Sequence, residues 1–246
     1  MPKEIKIIIL AAGRGSRVNR LTKNKPKTLI KISGKTILDY HLTELSKLEI
    51  KNKQISIITG YEHKAFSKYP IKKFVNKKWQ STNMVYSLTK ADHWLKNYNC
   101  IVIYGDVLYD YTIINKLKKN INKFCLANNV NWKKYWKQRF IDPIKDLESF
   151  KTNRKKLITE IGNKVKNMNE IKGQFMGIFK IDPLNWLKFK KKIKESNYKI
   201  STTELLNKLI NDQKVKIQSV DYKKYWFEID TFKDFKIADK FFKNLT

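Results

Sequence analysis

Apolar positions along the chain fall into short runs separated by amphipathic stretches. Runs readable as buried strands are Ile5–Leu10, Gln54–Thr59, Cys100–Tyr104, Phe124–Asn128, Phe175–Ile181, Val215–Val220 and Trp226–Ile229. Between them lie helices with recognisable starts. Thr36 is placed to cap a helix carrying Ile37, Leu38, His41, Leu42, Leu45 and Leu48 on one face, and Asp182-Pro183 puts proline in a first helical turn. Ser201-Thr202-Thr203-Glu204 has the capping-box pattern, and Thr231 opens a last helix with Phe235, Ala238 and Phe242. There is no internal repeat, low-complexity tract or linker. This alternation predicts an α/β fold, a mostly parallel central sheet with helices on both faces, as one domain over residues 1–246. Ligands of such sheets bind beyond the carboxyl ends of the strands, which directs attention to the loop after the first strand.

Composition narrows the class. With 41% hydrophobic and 13% aromatic residues, the 246-residue chain can close a core despite 30% charged residues, which argues against disorder. No apolar run approaches the roughly 18 residues that span a bilayer, and Ile7–Leu10 is too short for a signal peptide. A soluble, cytoplasmic protein without a membrane partner is expected. Cys100 and Cys125 sit in short apolar runs, where reduced, buried thiols are the ordinary reading. The formal charge of +31 invites a nucleic-acid reading. Yet 48 of the 53 basic residues are Lys, spread along every segment, whereas a nucleic-acid groove more often clusters Arg among exposed aromatics. No stable nucleic-acid partner is expected. Three of the five arginines, Arg14, Arg17 and Arg20, lie within seven residues of each other.

Those arginines belong to the loop Leu10-Ala11-Ala12-Gly13-Arg14-Gly15-Ser16-Arg17. Its glycines permit a sharp turn that brings amide groups up to a phosphate, and Arg14 and Arg17 add charged donors. A tight strand–helix turn with basic decoration is the plainer alternative. It is not a dinucleotide fingerprint, since the third glycine is missing, and Leu29 stands where a Walker loop at Gly34-Lys35-Thr36 needs its first glycine. Nearby, Lys25-Pro26-Lys27 projects a lysine from an extended backbone. Ile103-Tyr104-Gly105-Asp106 ends a buried strand in a carboxylate, either a cap or a magnesium ligand. Glu228 and Asp230 share a strand face and offer a partner for it. Ser81, Thr82, Asn83 and Ser87 form a small polar cluster, able to hydrogen-bond a pyrimidine edge or to cap a helix. Trp132, Tyr135 and Trp136 suit either a cation–π box for an ammonium group or a core. His41, His63 and His93 have no ligand spacing and are assigned no metal.

Taken together, Leu-Ala-Ala-Gly-x-Gly-x-Arg followed by Lys-Pro-Lys resembles the signature of the pyrophosphorylase-type nucleotidyltransferases. The Thr-Asn-x-x-x-Ser-Leu of residues 82–88 is similar to that of bacterial phosphocholine and 2-aminoethylphosphonate cytidylyltransferases. Trp136–Phe140, Glu160-Ile161-Gly162 and Gly173-Gln174-Phe175-Met176-Gly177 extend the likeness over nearly the whole chain. The resemblance implies a Rossmann-like nucleotidyltransferase fold with a small acceptor-side insertion around residues 131–175. It implies that Leu10, Ala11, Ala12, Gly13, Arg14, Gly15 and Gly105 bind the nucleotide, with Ser81, Thr82, Asn83 and Ser87 beside cytosine. Lys27 and Arg17 would be catalytic, Asp106 and Asp230 would hold Mg²⁺ with Glu228 as a further ligand, and Trp132, Trp136, Arg139 and Gln174 would face the acceptor. The activity implied is CTP-dependent transfer of CMP to a small phosphate or phosphonate, with release of pyrophosphate, for decorating a cell-surface glycan or lipid. Phosphocholine, phosphoethanolamine, 2-aminoethylphosphonate and phosphoglutamine remain open as acceptors, because Asn131–Met168 carries Arg139, Arg154, Lys155 and Lys156 among aromatics and departs from the relatives. The alternative within the fold is a sugar-1-phosphate nucleotidyltransferase using UTP or dTTP; a homodimer is left open.

Overall fold

Ile7, Ile8 and Ile9 are all completely buried. Successive residues of a strand point to opposite faces, so the sheet around them is covered on both sides. The computed structural model describes residues 4–245. Its main sheet has seven strands: β1 (Ile5–Ala11), β2 (Ile55–Thr59), β3 (Lys72–Val75), β4 (Asn99–Tyr104), β5 (Cys125–Asn129), β6 (Gln174–Ile181) and β7 (Gln218–Tyr222). Their order is β7-β5-β6-β4-β1-β2-β3. All neighbouring pairs are parallel except those of β6, which runs antiparallel to both β4 and β5. The mostly parallel α/β sheet read from the hydrophobic runs is therefore present. Cys100 on β4 and Cys125 on β5 are free and buried, and burial pushes the Cys100 thiol up to about 12.

The helices are α1 (Ile37–Ser46), α2 (Met84–Leu88), α3 (Asp92–Asn97), α4 (Thr112–Lys119), α5 (Trp132–Arg139), α6 (Pro183–Glu195), α7 (Thr202–Gln213) and α8 (Phe232–Lys243), besides a single turn at Asn19–Thr22. The starts marked in the sequence are real. Thr36 and Asp39 form a reciprocal capping box on α1, as do Thr231 and Asp234 on α8, and the side chain of Asp182 caps α6 ahead of Pro183.

Three features differ from the sequence reading. The strand expected from Val215 begins at Gln218, because Lys214 takes a left-handed conformation to end α7 and the Ile217 carbonyl accepts from the Ile158 amide at 2.9 Å. β3 was hidden by its lysines, which suit a sheet edge and blunt it against further pairing. Trp226–Glu228 is a strand, but outside the main sheet: it pairs antiparallel with Val107–Tyr109 in a separate ribbon. Residues 131–175 supply α5 and a hairpin of Glu148–Thr152 with Ile158–Lys164.

Candidate active site

Gly105 allows the ends of β1 and β4 to lie close: its amide donates to the Leu10 carbonyl at 2.8 Å, and a Cβ there would come within 2.5 Å of that oxygen. The chain then turns at Asp106, whose carbonyl accepts from the Ile229 amide at 2.9 Å. Glu228 stands opposite Val107 in the ribbon. Asp106 and Asp230 thus meet through this antiparallel ribbon, not as the ends of neighbouring strands in the main sheet.

Between the two carboxylates lies Lys27. Its Nζ donates to Asp106 Oδ2 and to Asp230 Oδ1, each at 2.7 Å, so those two oxygens are separated by no more than twice that distance. Burial alone would push the ammonium down, but Asp106 and Asp230 outweigh it and hold its pKa above that of a free lysine. The stem of Lys27 runs against the glycine loop. Gly15 has φ +75°, and a Cβ there would lie 2.8 Å from the Lys27 Cβ, so both conformation and space require glycine. Arg17 reaches in from solvent, Nη2 to Asp230 Oδ1 at 2.9 Å. Burial would raise the Asp230 carboxyl, but Lys27, Arg17 and Arg139 hold it below the usual carboxylate range. Asp106 Oδ1 is buried and has no hydrogen-bond partner among the described residues.

This charged group borders a cleft of about 510 Å³. Leu10, Ala11, Ala12, Gly13, Gly15, Lys27, Thr82, Asn83, Ser87, Gly105 and Asp106 line it, so most of the residues picked out from the sequence share one cavity. Arg14 instead lies over the Tyr61 ring, 5.6 Å from its centroid, and the Ser81 hydroxyl donates to the Lys78 carbonyl at 3.4 Å on the surface. The polar cluster is internally bonded. Asn76 Nδ2 donates to Thr82 Oγ1 and to Ser87 Oγ at 3.0 Å, Asn83 Oδ1 caps α2 by accepting from the Tyr86 amide, and Asn83 Nδ2 donates to the Ile200 carbonyl at 2.6 Å.

The acceptor-side residues need correction. Trp132 and Trp136 are core residues, 1% and 3% exposed, with Trp136 stacked on Trp226 at 5.3 Å. The cation beside the rings of Tyr135 and Trp136 is the protein's own Arg139. Arg139 is itself buried: Nε donates to Asp234 Oδ1 at 2.9 Å, Nη1 to Glu228 Oε2 at 3.1 Å, and Nη2 lies 3.6 Å from Asp230 Oδ2. Gln174 is 6% exposed and donates to the Glu148 carbonyl at 3.0 Å. Glu228 is engaged by Arg139; burial, then Asp230, push its carboxyl up, against that arginine's opposing pull. Among the described residues no group of three or more His, Cys, Asp or Glu is arranged to hold a metal by itself.

Seven lining residues were not anticipated: Thr28, Trp79, Met84, Val85, Lys199, Ser201 and Thr202. The capping pattern at Ser201 signalled the start of α7, but nothing local to it signals that this helix opens on the cleft.

The fold and this constellation define a nucleotidyltransferase, and comparison with known proteins agrees. Residues 7–155 match the MobA-like NTP transferase domain. The chain is 34% identical over 183 residues to the CTP:phosphoglutamine cytidylyltransferase of Campylobacter jejuni, covering 70% of this chain and 71% of that one. A choline-phosphate cytidylyltransferase of Haemophilus influenzae is 37% identical over 110 residues, 43% of this chain and 46% of the relative. Among solved structures, the CTP:phosphocholine cytidylyltransferase of Streptococcus pneumoniae superposes with a TM-score of 0.72 at 20% identity, over 97% of this chain and 99% of that one. A putative glucose-1-phosphate thymidylyltransferase of Bacillus anthracis gives 0.79 at 18% identity, over 99% and 97% respectively; these two likenesses show the fold. The chain belongs to the MobA-like NTP transferase family, on its bacterial cytidylyltransferase branch.

Proposed function

We propose that the protein transfers CMP from CTP to a small phosphorylated acceptor and releases pyrophosphate. The observation that carries this is the Lys27 ammonium, held at 2.7 Å from both Asp106 and Asp230 under the glycine loop at the edge of the cleft. It is supported by the 34% identity to a cytidylyltransferase that takes phosphoglutamine. An oxygen of the acceptor phosphate attacks the α-phosphorus of CTP, and the bond from that phosphorus to the β-phosphate oxygen breaks. Since a phosphate monoester has its second pKa near 6, the nucleophile is already anionic and needs no strong base. Catalysis then consists of positioning and charge neutralisation. The loop from Ala11 to Gly15 binds the triphosphate through its backbone amides, and Lys27 and Arg17 draw off charge from the α-phosphate and the leaving pyrophosphate.

A divalent cation suits the carboxylates. Among the described residues Lys27 is the one salt-bridge partner of Asp106, and the buried Asp106 Oδ1 has no hydrogen-bond partner, so that oxygen is available as a ligand. Asp106 and Asp230 would hold Mg²⁺, which supplies charge neutralisation to phosphate oxygens. Glu228, tied to Arg139, contributes through that pairing instead.

The test is a pyrophosphate-release screen of CTP, UTP, dTTP, GTP and ATP against phosphocholine, phosphoethanolamine, 2-aminoethylphosphonate, phosphoglutamine and hexose 1-phosphates, with and without Mg²⁺. CTP with a non-sugar phosphate acceptor should be the productive pair. Turnover confined to UTP or dTTP with a hexose 1-phosphate would overturn the assignment.

A further inference from the structure

Arg139 gathers acidic side chains from both sides of the turn that carries Asp230. Besides its contacts to Glu228 and Asp230, it grips Asp234 with two donors, Nε to Oδ1 at 2.9 Å and Nη2 to Oδ2 at 3.4 Å. Asp234 in turn accepts at Oδ2 from the backbone amides of Asp230 at 3.1 Å and Thr231 at 2.8 Å, and from the Thr231 hydroxyl at 3.0 Å. The guanidinium has little freedom, since the rings of Tyr135, Trp136 and Phe140 surround it with centroids 4.9–5.2 Å away. Tyr135, one turn earlier on α5, pins the other side of the ribbon: its hydroxyl accepts from the Glu228 amide and donates to the Glu228 carbonyl, both at 3.0 Å. The planar fork of Arg139 spreads its donors over three nitrogens and so reaches three carboxylates set apart around it, a spread that the single ammonium of a lysine does not reproduce.

Resting on the magnesium reading above, we propose that Arg139, acting with Asp234, is a positioning residue that fixes the backbone and carboxylate of Asp230 for the metal–nucleotide complex. Its side chain is 1% exposed, so it meets neither acceptor nor nucleotide directly. It acts through the turn at residues 228–234, and α5 is thereby the rigid support of a carboxylate on a different part of the chain. Partners of this kind, which orient a ligand without touching the ion, typically change metal affinity by about 10–100-fold when removed.

The experiment uses Arg139→Lys and the near-isosteric Asp234→Asn, each first shown to melt cooperatively. Mn²⁺ binding in the presence of CTP and without acceptor is read from water-proton relaxation, alongside the Mg²⁺ dependence of pyrophosphate release. Both variants should weaken Mn²⁺ binding by about tenfold or more and raise the Mg²⁺ needed for half-maximal turnover by a similar factor, with kcat largely restored at high Mg²⁺ and the acceptor KM within about twofold of wild type. Lower melting temperatures with unchanged metal affinity would reduce Arg139 to a packing role and overturn the proposal. Asp230→Asn separates the two readings. If it binds Mn²⁺ like wild type, the magnesium reading fails and takes the proposal with it; if it loses Mn²⁺ while the other two variants keep it, the proposal alone fails.

Discussion

At the scale of single residues, Lys27 joins the most functions. It is the counter-ion of two carboxylates, its stem is packed against Gly15, and its ammonium lies at the edge of the cleft. Lys27→Met keeps most of the stem and deletes the charge. Loss of a preorganised charge at a transferring phosphoryl group is worth roughly 3–4 kcal/mol, so turnover should fall by about a hundredfold or more while the protein stays folded. Turnover above half of wild type, measured by steady-state pyrophosphate release, would remove Lys27 from the mechanism. Lys27, Asp106 and Asp230 were picked out in the sequence chiefly because their motifs resemble those of known nucleotidyltransferases; a lysine among 48 and a carboxylate after an apolar run have plainer readings on their own. The role of Arg139 was not legible. An arginine followed by phenylalanine after two tryptophans looks the same whether the rings enclose a ligand or the arginine itself, and only the positions of Glu228, Asp230 and Asp234 decide between them. The same holds for Thr82, Asn83 and Ser87, whose polar atoms are partly consumed by Asn76 and by the cap of α2.

At the scale of elements, the glycine loop and the ribbon make the site. The two glycines of the loop differ in what demands them. A Cβ at Gly13 would meet nothing within 4 Å, whereas Gly15 combines φ +75° with contact on Lys27. Gly15→Ala should therefore destabilise the protein by about 1–2 kcal/mol, from the left-handed conformation alone, and also displace Lys27. Gly13→Ala should leave the thermal midpoint where it was. Equal midpoints for the two variants would show that the loop tolerates a side chain at either position. Of the main-sheet strands, β1, β2 and β4 were visible in the sequence because they are buried on both faces and appear as mostly apolar runs, whereas the edge strand β3 was not. The partner of Trp226–Glu228 was not visible, since a three-residue antiparallel pair leaves no periodicity to find.

At the scale of the whole molecule, burial of an ionisable group links stability to pH. His41 on α1 is enclosed by the core, with Nδ1 3.2 Å from the Tyr109 hydroxyl. Burial pushes it down to about 4 from the ordinary 6.5, against a smaller opposing effect of the Gly105 backbone. Between those values the unfolded chain binds the proton and the folded chain does not, so stability is full above 6.5 and is lost as pH falls towards 4. The loss attributable to His41 should reach about 2 kcal/mol by pH 5. Urea midpoints should drop between pH 7 and 5 for the wild type and markedly less for His41→Asn; parallel slopes would contradict this.

The +31 charge also acts on the whole molecule, drawing polyanionic nucleotides towards a surface on which lysine is spread widely. It does not specify the reaction, which depends on the cleft. The reaction itself is tested most directly by ³¹P NMR of the protein with CTP, Mg²⁺ and phosphoglutamine or phosphocholine. Cytidylyl transfer predicts that the CTP resonances are replaced in equal amounts by free pyrophosphate and by the coupled pair of a new P–O–P linkage joining CMP to the acceptor. Persistence of CTP with every phosphate acceptor, in a preparation that converts UTP or dTTP with a hexose 1-phosphate, would contradict it.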